Sequence, residues 1–156
     1  ERERRERQRR EAERRELERR ERERLERERW ERERREKVKD DARYIIHRTA
    51  DVIYVAQRSA DRRHYYKGLA QAVAHQQKAR RLYMSGIYQD AIFHSLRARR
   101  IAIHVIEMNK EKWNGSWDSR EEWYIRFSPH DNDLDVKLNF TIGDKDAVRI
   151  SIDLDL

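Results

Sequence analysis

The first 36 residues, ERERRERQRREAERRELERRERERLERERWERERRE, leave only Gln8, Ala12, Leu17, Leu25 and Trp30 uncharged. A segment of this kind has nothing with which to build a core. Its residue types are nevertheless good helix formers. Glu precedes Arg by four at Glu1–Arg5, Glu6–Arg10, Glu11–Arg15, Glu16–Arg20, Glu18–Arg22, Glu23–Arg27 and Glu28–Arg32. Each such pair stabilises a helix by about 0.2–0.5 kcal/mol. At about 100° per residue, Ala12, Leu17, Leu25, Trp30 and Val38 fall near 0°, 140°, 220°, 0° and 80°. They make no seam, and no heptad repeats. The segment predicts an isolated charged helix, roughly 54 Å long, serving as a spacer or assembly strut. Arg-dense helices also bind RNA, but here a Glu beside nearly every Arg removes most of the phosphate attraction.

Composition narrows the remainder. The chain has 156 residues, no Cys, four Gly and one Pro. Without Cys there is no disulfide scaffold, thiolate zinc site or cysteine nucleophile. Few glycines disfavour phosphate-binding loops, and no apolar run reaches the roughly 18 residues of a membrane-spanning helix. The chain begins at Glu1 rather than Met, as a processed product or a fragment would. The net charge of +7 is uneven: residues 1–36 carry +3, residues 37–127 carry +8 and residues 128–156 carry −4. A basic middle and an acidic end could meet between subunits, or simply be two solvated surfaces.

From Val38 the period changes. Val38, Ala42, Ile45, Thr49, Ile53, Ala56 and Ala60 step by three and four along one helix face. This first helix is expected to end near Tyr65, Tyr66 and Gly68, with further helices over 69–85 and 87–110. The third is apolar nearly all round, apart from a narrow strip at Arg97, Arg100 and His104.

Residues 79–98, ARRLYMSGIYQDAIFHSLRA, resemble the second half of a tetratricopeptide repeat. Ala79 and Tyr83 fit its first helix, Gly86 and Tyr88 its turn, Ala91 and Ile92 the start of its second helix, and Ala98 its small packing position. The resemblance implies a helical hairpin and, more remotely, a peptide-binding groove. The departures are His75 at the large-aromatic position, Ser95 where a bulky residue is usual, and no closing Pro. A shift of 34 residues finds no second copy.

After a loop over 111–120, alternation takes over. Trp123, Ile125 and Phe127 alternate with polar or ring-hydroxyl neighbours. Residues Leu134 to Ile142 and Val148 to Leu156 do the same. Period two over three segments predicts half-buried antiparallel strands over 121–156. The fold class read here is therefore α+β, mainly α: a charged helix over 1–37, a three-helix core over 38–110, and a three-stranded antiparallel sheet.

The candidate chemistry is sparse. His47, His64, His75, His94, His104 and His130 offer no helical i,i+4 metal pair and no HExxH. Arg99 and His104 have the R-x4-H spacing similar to the motif of HEPN ribonucleases, whose Arg would stabilise phosphate and whose His would act as acid and base. On a regular helix the two lie about 140° apart and do not converge. Asp131, Asp133 and Asp135 lack the Gly and bidentate Glu of a calcium loop. Asn114-Gly-Ser and Asn139-Phe-Thr are glycosylation acceptors in an exported chain. Arg62, Arg63, Arg80 and Arg81, near Tyr65 and Tyr66, are candidate nucleic-acid contacts.

These readings lead to a non-enzymatic structural protein without a cofactor, a homo-oligomer or filament subunit of an exported (periplasmic, cell-surface or extracellular) assembly. Its expected self-association residues are Trp30, Trp123, Phe127, Leu138, Phe140, Ile150 and Ile152. The alternative is an RNA-binding or ribosome-associated protein using the basic middle.

Overall fold

A computed structural model describes residues 1–129 and Leu134. Among these residues every regular element is a helix: α1 (Arg2–Arg63), α2 (Leu69–Met84), α3 (Tyr88–Met108) and α4 (Ser119–Arg126). The chain divides into two units, Glu1–Lys37 and Val38–Leu156.

In the first unit every side chain is exposed. Charge pairs line it. Arg15 and Arg20 donate to Glu11 and Glu16, at 2.7 and 2.6 Å. The opposite order, Arg before Glu, closes at Arg9–Glu13, Arg14–Glu18, Arg19–Glu23, Arg24–Glu28 and Arg29–Glu33. The Arg34 guanidinium lies 5.4 Å from the centroid of the Trp30 ring.

The second unit has the core. Ala42, Ile45, Thr49, Ile53, Ala56 and Ala60 are buried on one face of α1, as the three-and-four spacing predicts, with Val38 half-buried at its edge. They pack against Leu69, Ala72 and Val73 of α2 and Leu96, Ala98, Ala102, Val105 and Ile106 of α3. Small residues carry the close approaches, and burying this much apolar surface is the main force assembling the unit. α1 ends at a five-residue turn whose Gly68 has φ +94°, open to glycine without strain. Asn109, buried at the end of α3, clasps this turn, accepting from the Tyr65 amide at 3.0 Å and donating to the Tyr65 carbonyl at 2.8 Å.

α2 and α3 form the helical hairpin. Gly86 turns it at φ +78°, and the Ile87 amide closes back on the Leu82 carbonyl at 2.9 Å. The Tyr83 and Tyr88 rings meet at 5.4 Å over the turn, while Ala79, Ala91 and Ala98 are buried.

Among the described residues the α+β class is overturned: they are helical and hold no strand of the expected β-sheet. The first expected strand, through Trp123, Ile125 and Phe127, is helix α4. The alternation there is a coincidence of a short window. Glu121, Tyr124, Ile125 and Ser128, spaced i, i+3, i+4 and i+7, turn inward, and Trp123 and Phe127 turn outward. Asp118 supplies the overlooked start signal. It caps α4 by accepting from the Glu121 amide at 2.9 Å, while the Glu121 carboxylate accepts from the Asp118 amide at 3.1 Å, a reciprocal capping box. The other two expected strands, Leu134 to Ile142 and Val148 to Leu156, lie outside the described residues except for Leu134, as does the Asp131, Asp133 and Asp135 string. Leu134 packs half-buried against the cluster formed by Ala42, Ile45, Ile92, Phe93, Leu96 and Tyr124.

Candidate interaction surfaces

Glu121 is the pin that holds α4. Its side chain is fully buried, and so is that of Arg99 on α3, whose Nη1–H group donates to Glu121 Oε1. Arg48 on α1 adds a second cation, its Nε 2.8 Å from the same oxygen. The other two nitrogens of Arg99 are also used: Nε donates to Thr49 Oγ1 at 3.1 Å and Nη2 to the Ile45 carbonyl at 3.1 Å. Thr49 passes the chain on to the Ser95 carbonyl, and the Trp117 ring covers the guanidinium with its centroid 4.9 Å away. Burial holds the Arg99 guanidinium below its ordinary value, and the Glu121 carboxylate offsets only part of that.

A second layer surrounds this pair. The Tyr44 hydroxyl donates to Asp118 Oδ2 at 2.6 Å, and the Tyr124 hydroxyl donates to Asp41 Oδ2 at 2.7 Å. Arg120 pairs with Asp41 at 3.3 Å and lies over the Tyr44 ring. Burial raises the Asp118 carboxyl, but the Tyr44 hydroxyl, the Glu121 amide and the charges of Arg48 and Arg120 together hold it below its ordinary range. Arg99 and Glu121 are fully buried at the centre of this network, with Arg48, Asp118 and Arg120 partly open at its rim. They fix α4.

The outward side of α4 carries two aromatics among the charged Arg120, Glu122 and Arg126. Trp123 is 51% exposed and Phe127 57% exposed, and their rings touch with centroids 5.0 Å apart. Trp30, in the other unit, is 58% exposed beneath Arg34. Of the expected self-association residues these three are at the surface. Leu138, Phe140, Ile150 and Ile152 lie outside the described residues.

The four candidate nucleic-acid contacts do not form one patch. Arg62 is committed to a two-pronged pair with Glu111, Nε to Oε1 at 3.1 Å and Nη2 to Oε2 at 2.7 Å. That pair lowers the Glu111 carboxyl below its ordinary range. Arg63 is exposed at the end of α1. Arg80 and Arg81 flank an open depression with Gln77, Met84 and Ser85 at the far end of α2. Arg80 lies 11 residues into α2, about 17 Å along its axis from Leu69, which follows the turn after Arg62 and Arg63. Arg99 and His104 stay apart as their spacing requires, Arg99 buried and His104 exposed. Asn114 is exposed in the loop before α4. Asn139 lies outside the described residues.

One cluster escaped the sequence reading. His75 and His94 are buried together across the hairpin, Nδ1 to Nδ1 at 3.1 Å. One ring must donate and the other accept. Burial lowers the His94 pKa, Lys78 lowers it further and Asp90 raises it. Beside them Ser95 donates to Gln76 Oε1 at 2.9 Å, and Gln76 donates to the Ile46 carbonyl at 2.7 Å. His75 lies 11 residues before Gly86 and His94 eight after it, so single-helix spacing carried no signal and the packing of α2 on α3 brings the two rings together. Among the described residues no group of three or more His, Cys, Asp or Glu is placed to hold a metal ion, and no helix is long and apolar enough to cross a membrane.

No family model, curated protein or solved structure matches the chain.

Proposed function

We propose that this is a non-enzymatic structural protein that self-associates. The observation that carries the reading is the first unit, a stretch of helix in which no residue is buried. Such a helix builds no cavity of its own, whereas an assembly can use it as a strut. The second unit supplies the contact. α4 is held rigid from within by Glu121 and offers the Trp123–Phe127 pair to a second copy of the chain. Large rigid aromatics of this kind anchor protein contacts because they bury much area for little lost conformational freedom.

Nucleic acid is a weaker fit, since Arg62 is already paired and the remaining basic residues are divided between two ends of α2. Light scattering on a sizing column, at low and high salt and after nuclease treatment, tests the proposal. An oligomer free of nucleic acid, reduced to monomer by a Trp123→Ala/Phe127→Ala double variant, is the expected result. A monomer at high concentration and low salt would sink it. Nuclease-sensitive absorbance travelling with the protein would replace it with the nucleic-acid reading.

A further inference from the structure

The first unit is written in a five-residue repeat. Seven consecutive pentads run from Glu1 to Arg35: ERERR, ERQRR, EAERR, ELERR, ERERL, ERERW and ERERR. Glu stands first and Arg fourth in every one, and the third place is Glu except at Gln8. The second place takes Ala12 and Leu17, and the fifth takes Leu25 and Trp30, so the apolar residues fall only where the pattern is loose.

The period has a geometric consequence. Five residues advance about 500° around a helix, roughly 140° past a full turn. Each pentad position therefore spirals around the axis, and no face is left uncharged. A coiled coil needs the opposite, an apolar seam recurring about every 3.5 residues so that it stays on one side. The four-residue step from the Arg of one pentad to the third-place Glu of the next is preserved from Arg9 on, Gln8 interrupting it at Arg4. That step is the one closed in succession at Arg9–Glu13, Arg14–Glu18, Arg19–Glu23, Arg24–Glu28 and Arg29–Glu33. Glu11–Arg15 and Glu16–Arg20 add rungs inside single pentads. The rungs wind around the helix and brace it on all sides.

We infer that residues 1–37 are a lone-helix spacer, kept straight by a spiral Arg–Glu ladder and kept from pairing with other copies by the same five-residue period. The inference deepens the structural reading above, because it gives the strut its length and moves self-association off the helix and onto the second unit. Spacing is then set by the number of repeats, at about 7.5 Å per pentad.

The test uses the full chain. It contains no Cys, so Gln8→Cys and Trp30→Cys place two spin labels uniquely. These sites are 22 residues apart and nearly in phase, and pulsed electron–electron resonance should read one narrow separation of about 33 Å. A broad distribution centred near the roughly 23–28 Å of a flexible chain would overturn the spacer. Chains labelled at Gln8→Cys alone should show no coupling between copies, and a defined distance between copies would overturn the unpaired helix. Changing Glu13, Glu18, Glu23, Glu28 and Glu33 together to Gln removes the successive rungs while keeping a good helix former. It should broaden the 33 Å separation, and an unchanged distribution would show that the ladder is not what holds the rod. Light scattering on the labelled protein separates the two proposals. A narrow distance in a monomer keeps the spacer and removes self-association, and a broad distance in an oligomer does the reverse.

Discussion

The two units use one chemical pair, Arg with Glu, in opposite ways. In residues 1–37 the pairs are exposed and many, such as Arg9–Glu13 at 3.5 Å with side chains 84% and 65% accessible. In the second unit Arg99 and Glu121 are fully buried. Water and salt screen the exposed pairs, so each is weak and only the series matters. The buried pair is costly to form, because both ions leave water, and costly to break, because the survivor is stranded. An exposed pair can be lost without consequence for its neighbours. The loss of Glu121 is felt in α1, α3 and α4 at once, since Arg48, Arg99 and the Asp118 amide all point to it.

The largest effect should come from breaking the buried pair. Glu121→Ala leaves Arg99 charged and unpaired, and urea unfolding should show a loss of about 3–5 kcal/mol, whereas Glu13→Gln should change stability by no more than about 0.5 kcal/mol. Equal effects would dissolve the distinction. Smaller, but within the same network, Asp118→Ala removes the cap of α4 and should cost about 1 kcal/mol by the same measurement.

Acid should also distinguish the units. The native pKa of His94 is depressed below its ordinary value of about 6.5. The unfolded chain therefore binds more protons as pH falls through 6.5, and stability must fall with it. Urea midpoints of the second unit should drop between pH 7.5 and 5.5, and His94→Gln should flatten that slope. A midpoint indifferent to pH would mean that the His94 pKa is not depressed in the folded state.

Salt should act mainly on the other unit. Raising ionic strength from about 0.1 M to 1 M shrinks the screening length from about 10 Å to 3 Å. Residues 1–37 should lose part of their helical signal in circular dichroism, while the cooperative unfolding of the second unit moves little. The smallest expected effect is that of Trp123→Ala on folding. Exposed at 51%, the side chain should contribute within about 0.5 kcal/mol to stability, and the variant matters for self-association alone.

Local pattern settled much of this protein. The charged helix follows from residue type and from pairs four apart. The buried face of α1 follows from its three-and-four spacing, and the hairpin turn from a single glycine between two apolar helices. Each of these depends on neighbours within a turn or two, which is the range over which sequence acts directly on the backbone. α4 shows where that range ends. Trp123, Ile125 and Phe127 alternate as a strand would, and five residues are too few to tell a period of two from one of 3.6. The capping pair Asp118 and Glu121 was present in the chain as a start signal. What gave it force is Glu121's burial against Arg99 and Arg48, which lie 22 and 73 positions away. The same holds for His75 and His94. Whether such residues are surface charges or buried partners depends on which helices come together, and only the packed structure decides that, because the cost of burying a polar group is set by the partner that meets it.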